Sequence, residues 1–165
     1  MAIEAVSLKW AWNLITWLPG VLQKRIFSKT WFQQQVKVDL RPRYEAVTLF
    51  AGDKKDMTIW LRVTNLTYFD IEIDRLTIEF HSAGHVAKLI KLSREIVSSL
   101  TQQDFMLQDN LTTDNVLAIE KTFSNNPRAM INVHAEINSK VHNFKLDLTL
   151  GDIEPRLVNF KLASS

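Results

Sequence analysis

The chain has 165 residues, 46% hydrophobic and 23% charged, with 20 basic and 18 acidic side chains and a formal charge of +2. That supplies a core for one domain plus an appendage, without the basic excess that would argue for nucleic acid as a partner. Cysteine is absent, which excludes disulfides, thiolate nucleophiles and cysteine-ligated zinc.

Four of the five tryptophans, Trp10, Trp12, Trp17 and Trp31, precede Phe32. Apolar side chains recur at Ile3, Val6, Trp10, Leu14, Trp17, Leu18, Val21 and Leu22, spacing that predicts an amphipathic helix within residues 1–30. Pro19-Gly20 ends or kinks it, and a second helical piece is expected from Val21 to Ser28. A cleaved signal peptide fits poorly, because Glu4 lies near the start and Lys9 and Asn13 interrupt the apolar run. A spanning helix needs about 20 apolar residues, and the run from Trp10 to Leu22 is shorter. Packing of the helix on its own domain stays open. The preferred reading is a docking helix. Trp10, Trp12, Leu14, Trp17, Leu18, Val21 and Leu22 supply its apolar contacts. Lys24, Arg25 and Lys29 meet anionic headgroups, each worth about 1 kcal/mol near such a surface.

After Arg43 the period becomes two. Strands are predicted at Gln33–Leu40, Ala46–Phe50, Thr58–Thr64, Ile71–Phe80, His85–Leu92, Val116–Thr122 and Leu157–Leu162, and in the late hairpin Ala129–Ile137 with Phe144–Leu150. Ile71 and Ile73 set one parity, whereas Leu76, Ile78 and Phe80 set the other, so a bulge or bend is expected at Asp74-Arg75. In the hairpin, apolar must meet apolar, so paired residue numbers sum to an odd value and the loop has an even length. Ser93–Asn110 is ambiguous: its start is compatible with a short helix and the remainder with a polar loop. Trp60 falls on the polar side of its strand, where burial beneath the N-terminal helix is expected. Seven or so short strands imply an antiparallel sandwich.

The order Leu61-Arg62-Val63-Thr64-Asn65-Leu66-Thr67, then Phe69, Ile71, Ile73, Leu76, Ile78, Phe80 and Gly84-His85-Val86-Ala87, resembles the late-embryogenesis-abundant type 2 domain (the water-stress and hypersensitive-response domain). In that family a strand ends in a valine-x-asparagine-proline turn. Val63 and Asn65 match, and Leu66 stands where the family has proline. The resemblance covers Arg43 to Leu162. It implies an immunoglobulin- or fibronectin-like sandwich, often tethered to a membrane, without catalytic residues.

Chemistry is sparse. His81 and His85 flank a turn and read as exposed turn histidines rather than metal ligands. The odd-sum rule pairs His134 with Lys145 or Asp147, not with His142. Asp70, Glu72 and Asp74 form an acidic stripe, read as a solvated strand face rather than a calcium site. No glycine-x-serine-x-glycine elbow or phosphate loop occurs. Asn65-Leu66-Thr67 and Asn110-Leu111-Thr112 match the glycosylation acceptor pattern by chance.

The expectation is therefore a mainly β protein, residues 31–165 forming an antiparallel immunoglobulin/fibronectin-like sandwich and residues 1–30 an N-terminal amphipathic, Trp-rich helical anchor. It is non-catalytic, with no cofactor and no metal. Its partner is a membrane lipid surface or a membrane-protein complex, on the cytoplasmic side by preference, with the periplasmic side open. The alternative is a soluble stress-protection or small-ligand-binding module.

Overall fold

A computed structural model describes residues 17–42, 45–82, 85–91, 94–123 and 128–161. Two short helices, α1 (Gly20–Ile26) and α2 (Lys29–Gln35), lead into ten strands. These are β1 (Val36–Leu40), β2 (Val47–Ala51), β3 (Lys55–Asn65), β4 (Ile71–Ser82), β5 (His85–Lys91), β6 (Glu95–Val97), β7 (Thr101–Asn110), β8 (Ala129–Ser139), β9 (Asn143–Ile153) and β10 (Arg156–Val158). A third helix, α3 (Thr113–Phe123), lies between β7 and β8.

The strands form two five-stranded sheets. In the first, β1 and β2 follow one another along one edge of β3, and β7 runs along the other. In the second, β5 and β6 share one edge of β4, while β8 and then β9 lie beyond the other. All pairings are antiparallel except β10 with β2, which is parallel. Inward side chains of both sheets make one core, with Leu49, Ile59, Leu61, Val63, Ile71, Ile78, Ile131 and Val133 fully buried. The alternation of each strand thus has a direct cause: one face meets the opposite sheet and the other meets water.

The parity change in β4 is a register shift against β8 between Ile73 and Arg75. Asp74 is the extra residue, and it lets Ile71, Ile73, Leu76, Ile78 and Phe80 all face inward. The late hairpin obeys the odd-sum rule: Ala135 pairs with Leu146 and Ile137 with Phe144, leaving the four-residue turn 139–142.

Several expectations are corrected. Gln33–Gln35 belong to α2, so that strand begins at Val36. Val116–Thr122 is helical. Val116, Ile119 and Phe123 fall on one buried helix face, and the Thr112 hydroxyl accepts the Asn115 N–H at 3.1 Å, capping the first turn. Ser93–Asn110 contains β6 and β7 rather than helix and loop. Only Phe105 and Leu107 of β7 are buried, so a half-wet strand on the rim of its sheet carries almost no apolar period. The last strand shrinks to Arg156–Val158. Trp60 is half-buried on the outer face of β3, and among the described residues the Arg41 guanidinium lies over its ring, 4.1 Å from the ring centroid; most of the helix expected to cover it lies outside the described residues.

The end of β3 is organised by Asn65, which is fully buried. Its Nδ2 donates to the carbonyls of Phe69 (2.8 Å), Val97 (3.0 Å) and Ser98 (3.1 Å). Its Oδ1 accepts the Thr67 N–H at 3.0 Å and lies 2.7 Å from the buried Thr67 hydroxyl. One amide thereby joins the β3–β4 loop to the β6–β7 turn across the two sheets. This burial and engagement accounts for the residue as structural, in keeping with a chance match to the glycosylation pattern. The Leu66 N–H donates to the Gln35 carbonyl at 2.9 Å, a bond that a proline at this position has no hydrogen to make.

On the outer face of the first sheet, Arg62 grips Asp104 through two hydrogen bonds, 2.7 and 3.0 Å. Those bonds hold the Asp104 carboxyl below the ordinary aspartate range, against partial desolvation, and the charges of Arg62 and Arg41 add to the effect.

Two predictions follow from these contacts. Asn65→Ala leaves the buried Thr67 N–H without its acceptor and removes a donor from the Phe69, Val97 and Ser98 carbonyls; it is expected to destabilise by about 2–4 kcal/mol in urea unfolding, while Asn110→Ala at the exposed matching motif stays within about 0.5 kcal/mol. A carboxylate with a depressed folded pKa stabilises above its unfolded value and loses that contribution as pH falls through the folded one. The melting-temperature advantage of the native chain over Asp104→Asn should therefore be present near neutral pH and vanish in strong acid; an advantage that grows on acidification contradicts the assignment.

Candidate functional site: the N-terminal helix pair

Helical backbone at Trp17 stops at Leu18-Pro19 and restarts at Gly20, as the Pro-Gly pair requires. The N–H groups of Leu22 and Gln23 donate to the Pro19 carbonyl, at 2.9 and 3.2 Å. α1 ends where the Phe27 N–H donates to the Gln23 carbonyl at 2.8 Å. Ser28 then caps α2, its hydroxyl accepting the Trp31 N–H at 3.1 Å.

The anchorage of this pair is aromatic. The Phe27 ring lies 4.9 Å from Trp31 and 5.2 Å from Phe69, and Phe32 meets Phe69, His142 and Phe144 at 5.7–5.8 Å. His142 Nε2 sits 2.8 Å from the Phe27 carbonyl, so that nitrogen must carry the hydrogen. Gln33 donates to the Lys145 carbonyl at 2.9 Å, tying α2 to the open edge of β9. The fourth tryptophan, Trp31, is therefore partly buried against the core.

The outward side of α1 inverts the usual order. Gln23 is 1% exposed, while Trp17 is 87%, Val21 80%, Ile26 57% and Leu22 45% exposed. Successive helix positions turn by about 100°. Gln23 and Phe27 therefore share the inner side, and Val21, Leu22 and Arg25 share the outer one. Leu18 is half-buried, and Lys24, Arg25 and Lys29 are exposed around the apolar patch. Of the residues the periodicity selected, Trp17, Leu18, Val21, Leu22, Lys24, Arg25 and Lys29 thus lie on one short segment. Trp10, Trp12 and Leu14 lie outside the described residues. Ile26 was missed, because Lys24-Arg25 interrupts the apolar run before it.

The other candidates are engaged elsewhere. His81 Nε2 is 3.1 Å from the Asn132 amide nitrogen and 3.8 Å from Glu79. His134 Nδ1 meets Asp147 at 2.7 Å, one of the two partners the register allowed. Asp70 accepts the Ser99 N–H at 2.8 Å, and Arg94 lies 3.8 Å from Glu72 and 3.3 Å from Asp74. Among the described residues no three histidine or acidic side chains are grouped to hold a metal ion. An open groove of about 340 Å³ lies beside Ile96, Glu72, Ser139 and Lys140. Among the described residues, no helix is long and apolar enough to cross a membrane.

No family model and no curated protein matches this sequence. Solved structures resemble this one to different degrees, and the first of those that follow shares its fold. The Northeast Structural Genomics Consortium target SoR45 is 9% identical, over 81% of this chain and 98% of its own, with a TM-score of 0.50. A protein from Arabidopsis thaliana is 14% identical over 76% of this chain and 82% of its own, with a TM-score of 0.47. A candidate late embryogenesis abundant (LEA) protein is 14% identical over 96% of this chain and 92% of its own, with a TM-score of 0.36.

The inner and outer sides of the segment should separate cleanly. Phe27→Ala is expected to lower unfolding free energy by about 3 kcal/mol, whereas Val21→Ser stays within about 0.5 kcal/mol, both read from urea midpoints.

Proposed function

We propose that the chain is a non-catalytic, membrane-associated accessory or binding protein, an immunoglobulin/fibronectin-like sandwich docked through its N-terminal segment to a membrane surface. The observation that carries this reading is the inverted helix α1, with glutamine inside and Trp17, Val21, Leu22 and Ile26 facing water. Solvent exposure of this patch has no benefit for the sandwich, because the interior is already closed by Phe27, Trp31 and Phe32. Covering large apolar side chains is worth roughly 1.5–3 kcal/mol each when complete. Lys24, Arg25 and Lys29 add attraction to an anionic leaflet, which is the cytoplasmic one in most membranes. The late-embryogenesis-abundant type 2 relationship belongs to the same reading and is supported by Val63, by Asn65 at the strand end and by the order of strands around it.

Flotation of the full-length chain with vesicles of phosphatidylcholine and phosphatidylserine tests the role. The native chain is expected in the lipid fraction, and the double variant Trp17→Asp/Val21→Asp is expected to fall out of it at least tenfold with an unchanged melting temperature. Equal recovery of the double variant refutes docking through this segment. A monodisperse native monomer that ignores vesicles returns the chain to the soluble stress-protection or small-ligand module.

A further inference from the structure

The strand register places more than α1 at this end of the molecule. Asn65, at the end of β3, pairs with Val36 at the start of β1 and Thr101 at the start of β7. Ile71, at the start of β4, pairs with Ser139 at the end of β8 and Val97 at the end of β6. The β3–β4 loop, the β6–β7 turn and the β8–β9 turn therefore share one end of the sandwich. The helix pair sits there too, through Phe27–Phe69, Phe27–His142 and Gln35–Leu66.

That end holds seven of the eleven exposed large apolar side chains among the described residues: Trp17, Val21, Leu22, Ile26, Leu66, Ile96 and Leu100. Leu66 and Leu100 sit on loop tips, 39% and 58% exposed. Leu100 has φ +56°, a left-handed backbone conformation that suits glycine and burdens a leucine. Its N–H donates to the Thr67 carbonyl at 3.1 Å, so the Asn65 network holds that backbone in place while the side chain points away from the core. A turn that needs only its backbone has no use for a greasy side chain in a strained conformation.

The charge of this end is one-sided. From Trp17 to Val38 there are four cations, Lys24, Arg25, Lys29 and Lys37, and no acidic residue. Lys140 adds a fifth on the exposed β8–β9 turn. Asp70 keeps its charge while accepting the Ser99 N–H, and Glu72 and Glu95 are paired with Arg94 and Lys91, so cations remain in excess at this end. Apolar tips ringed by cations complement an anionic lipid bilayer, whose interface accepts both.

We infer that the whole end of the sandwich is the footing, with Leu66 and Leu100 inserting beside α1, and that its partner is an anionic lipid bilayer. This rests on the docking role of α1 and adds to it a second, independent set of contacts and a lipid preference. The molecule then stands end-on, with both sheets projecting from the surface.

The full-length chain, Leu100→Gly and Leu66→Ser are titrated with vesicles of phosphatidylcholine alone and of phosphatidylcholine with phosphatidylserine, alongside thermal melts. The native chain should partition at least tenfold better onto the anionic vesicles, with the difference removed by high salt. Leu100→Gly should partition about tenfold less well while melting at the same temperature or higher, because glycine relieves the backbone strain. Leu66→Ser should also bind less well with an unchanged melt. Unchanged partition of both leucine variants, with loss only on changing Trp17 and Val21, overturns the end-on footing and leaves helix docking intact. Equal partition onto neutral vesicles overturns the anionic preference. No partition of the native chain onto either vesicle overturns this inference together with lipid docking and points to a protein partner.

Discussion

The carboxamide of Asn65 is the point on which this architecture turns. A sandwich has an interior that hydrogen bonds between strands cannot cross, so its sheets are joined through side chains or through loops. At the lower end of β3 and β4, a single buried amide satisfies carbonyls from the β3–β4 loop and from the β6–β7 turn, while its oxygen takes up Thr67. The Thr67 N–H would otherwise lie in the interior without water, and the Phe69 carbonyl would be left to the Thr67 hydroxyl. The network determines where Leu66 and Leu100 emerge, and the Leu66 N–H in turn donates to the Gln35 carbonyl at the end of α2. Helix pair, loop tips and sheet ends are therefore one mechanical unit.

A second constraint shapes the opposite sheet. β4 is twelve residues long and inward-facing over its length, yet its apolar residues do not keep one parity. The bulge at Asp74 reconciles them and increases local twist. Together with the hairpin of β8 and β9, it presents a wet outer face on which Glu79–Lys88, Glu136–Lys145 and His134–Asp147 lie as opposed pairs. Such exposed pairs contribute little to stability. Glu79–Lys88 and Glu136–Lys145 set opposite charges side by side on this face, in contrast to the cationic end carrying α1.

The helix pair connects these features to the proposed docking role. Its aromatic side closes the sandwich beside Phe69 and Phe144, and its other side leaves Trp17, Val21, Leu22 and Ile26 in water. Rigid burial on one side and apolar exposure on the other suit a segment that must hold its place in the fold while meeting a second phase. Leu100 and Leu66 extend that character to loops whose backbones are tied down, so insertion would require no folding of mobile chain.

The linear sequence by itself determined whatever depends on neighbours within a strand. The period of two located β3, β4, β8 and β9, the parity break located the bulge, and the odd-sum rule narrowed the partner of His134 to Lys145 or Asp147, because a pleated strand has only two faces. The three-and-four spacing near Trp17 marked an apolar helix side, but the same pattern serves a core or a surface, so it could not say that Gln23 would go inside. Only the tertiary structure decided that. It also decided that Val116–Phe123 coils, since its apolar spacing fits helix and strand alike over so few residues. It made β7 a strand although just Phe105 and Leu107 are buried, because pairing with β3 is a long-range backbone event that leaves little trace in side-chain pattern. Leu66 and Leu100 look like ordinary turn residues in the chain; their meeting at one end of the molecule comes from strand register, which joins residues far apart in sequence.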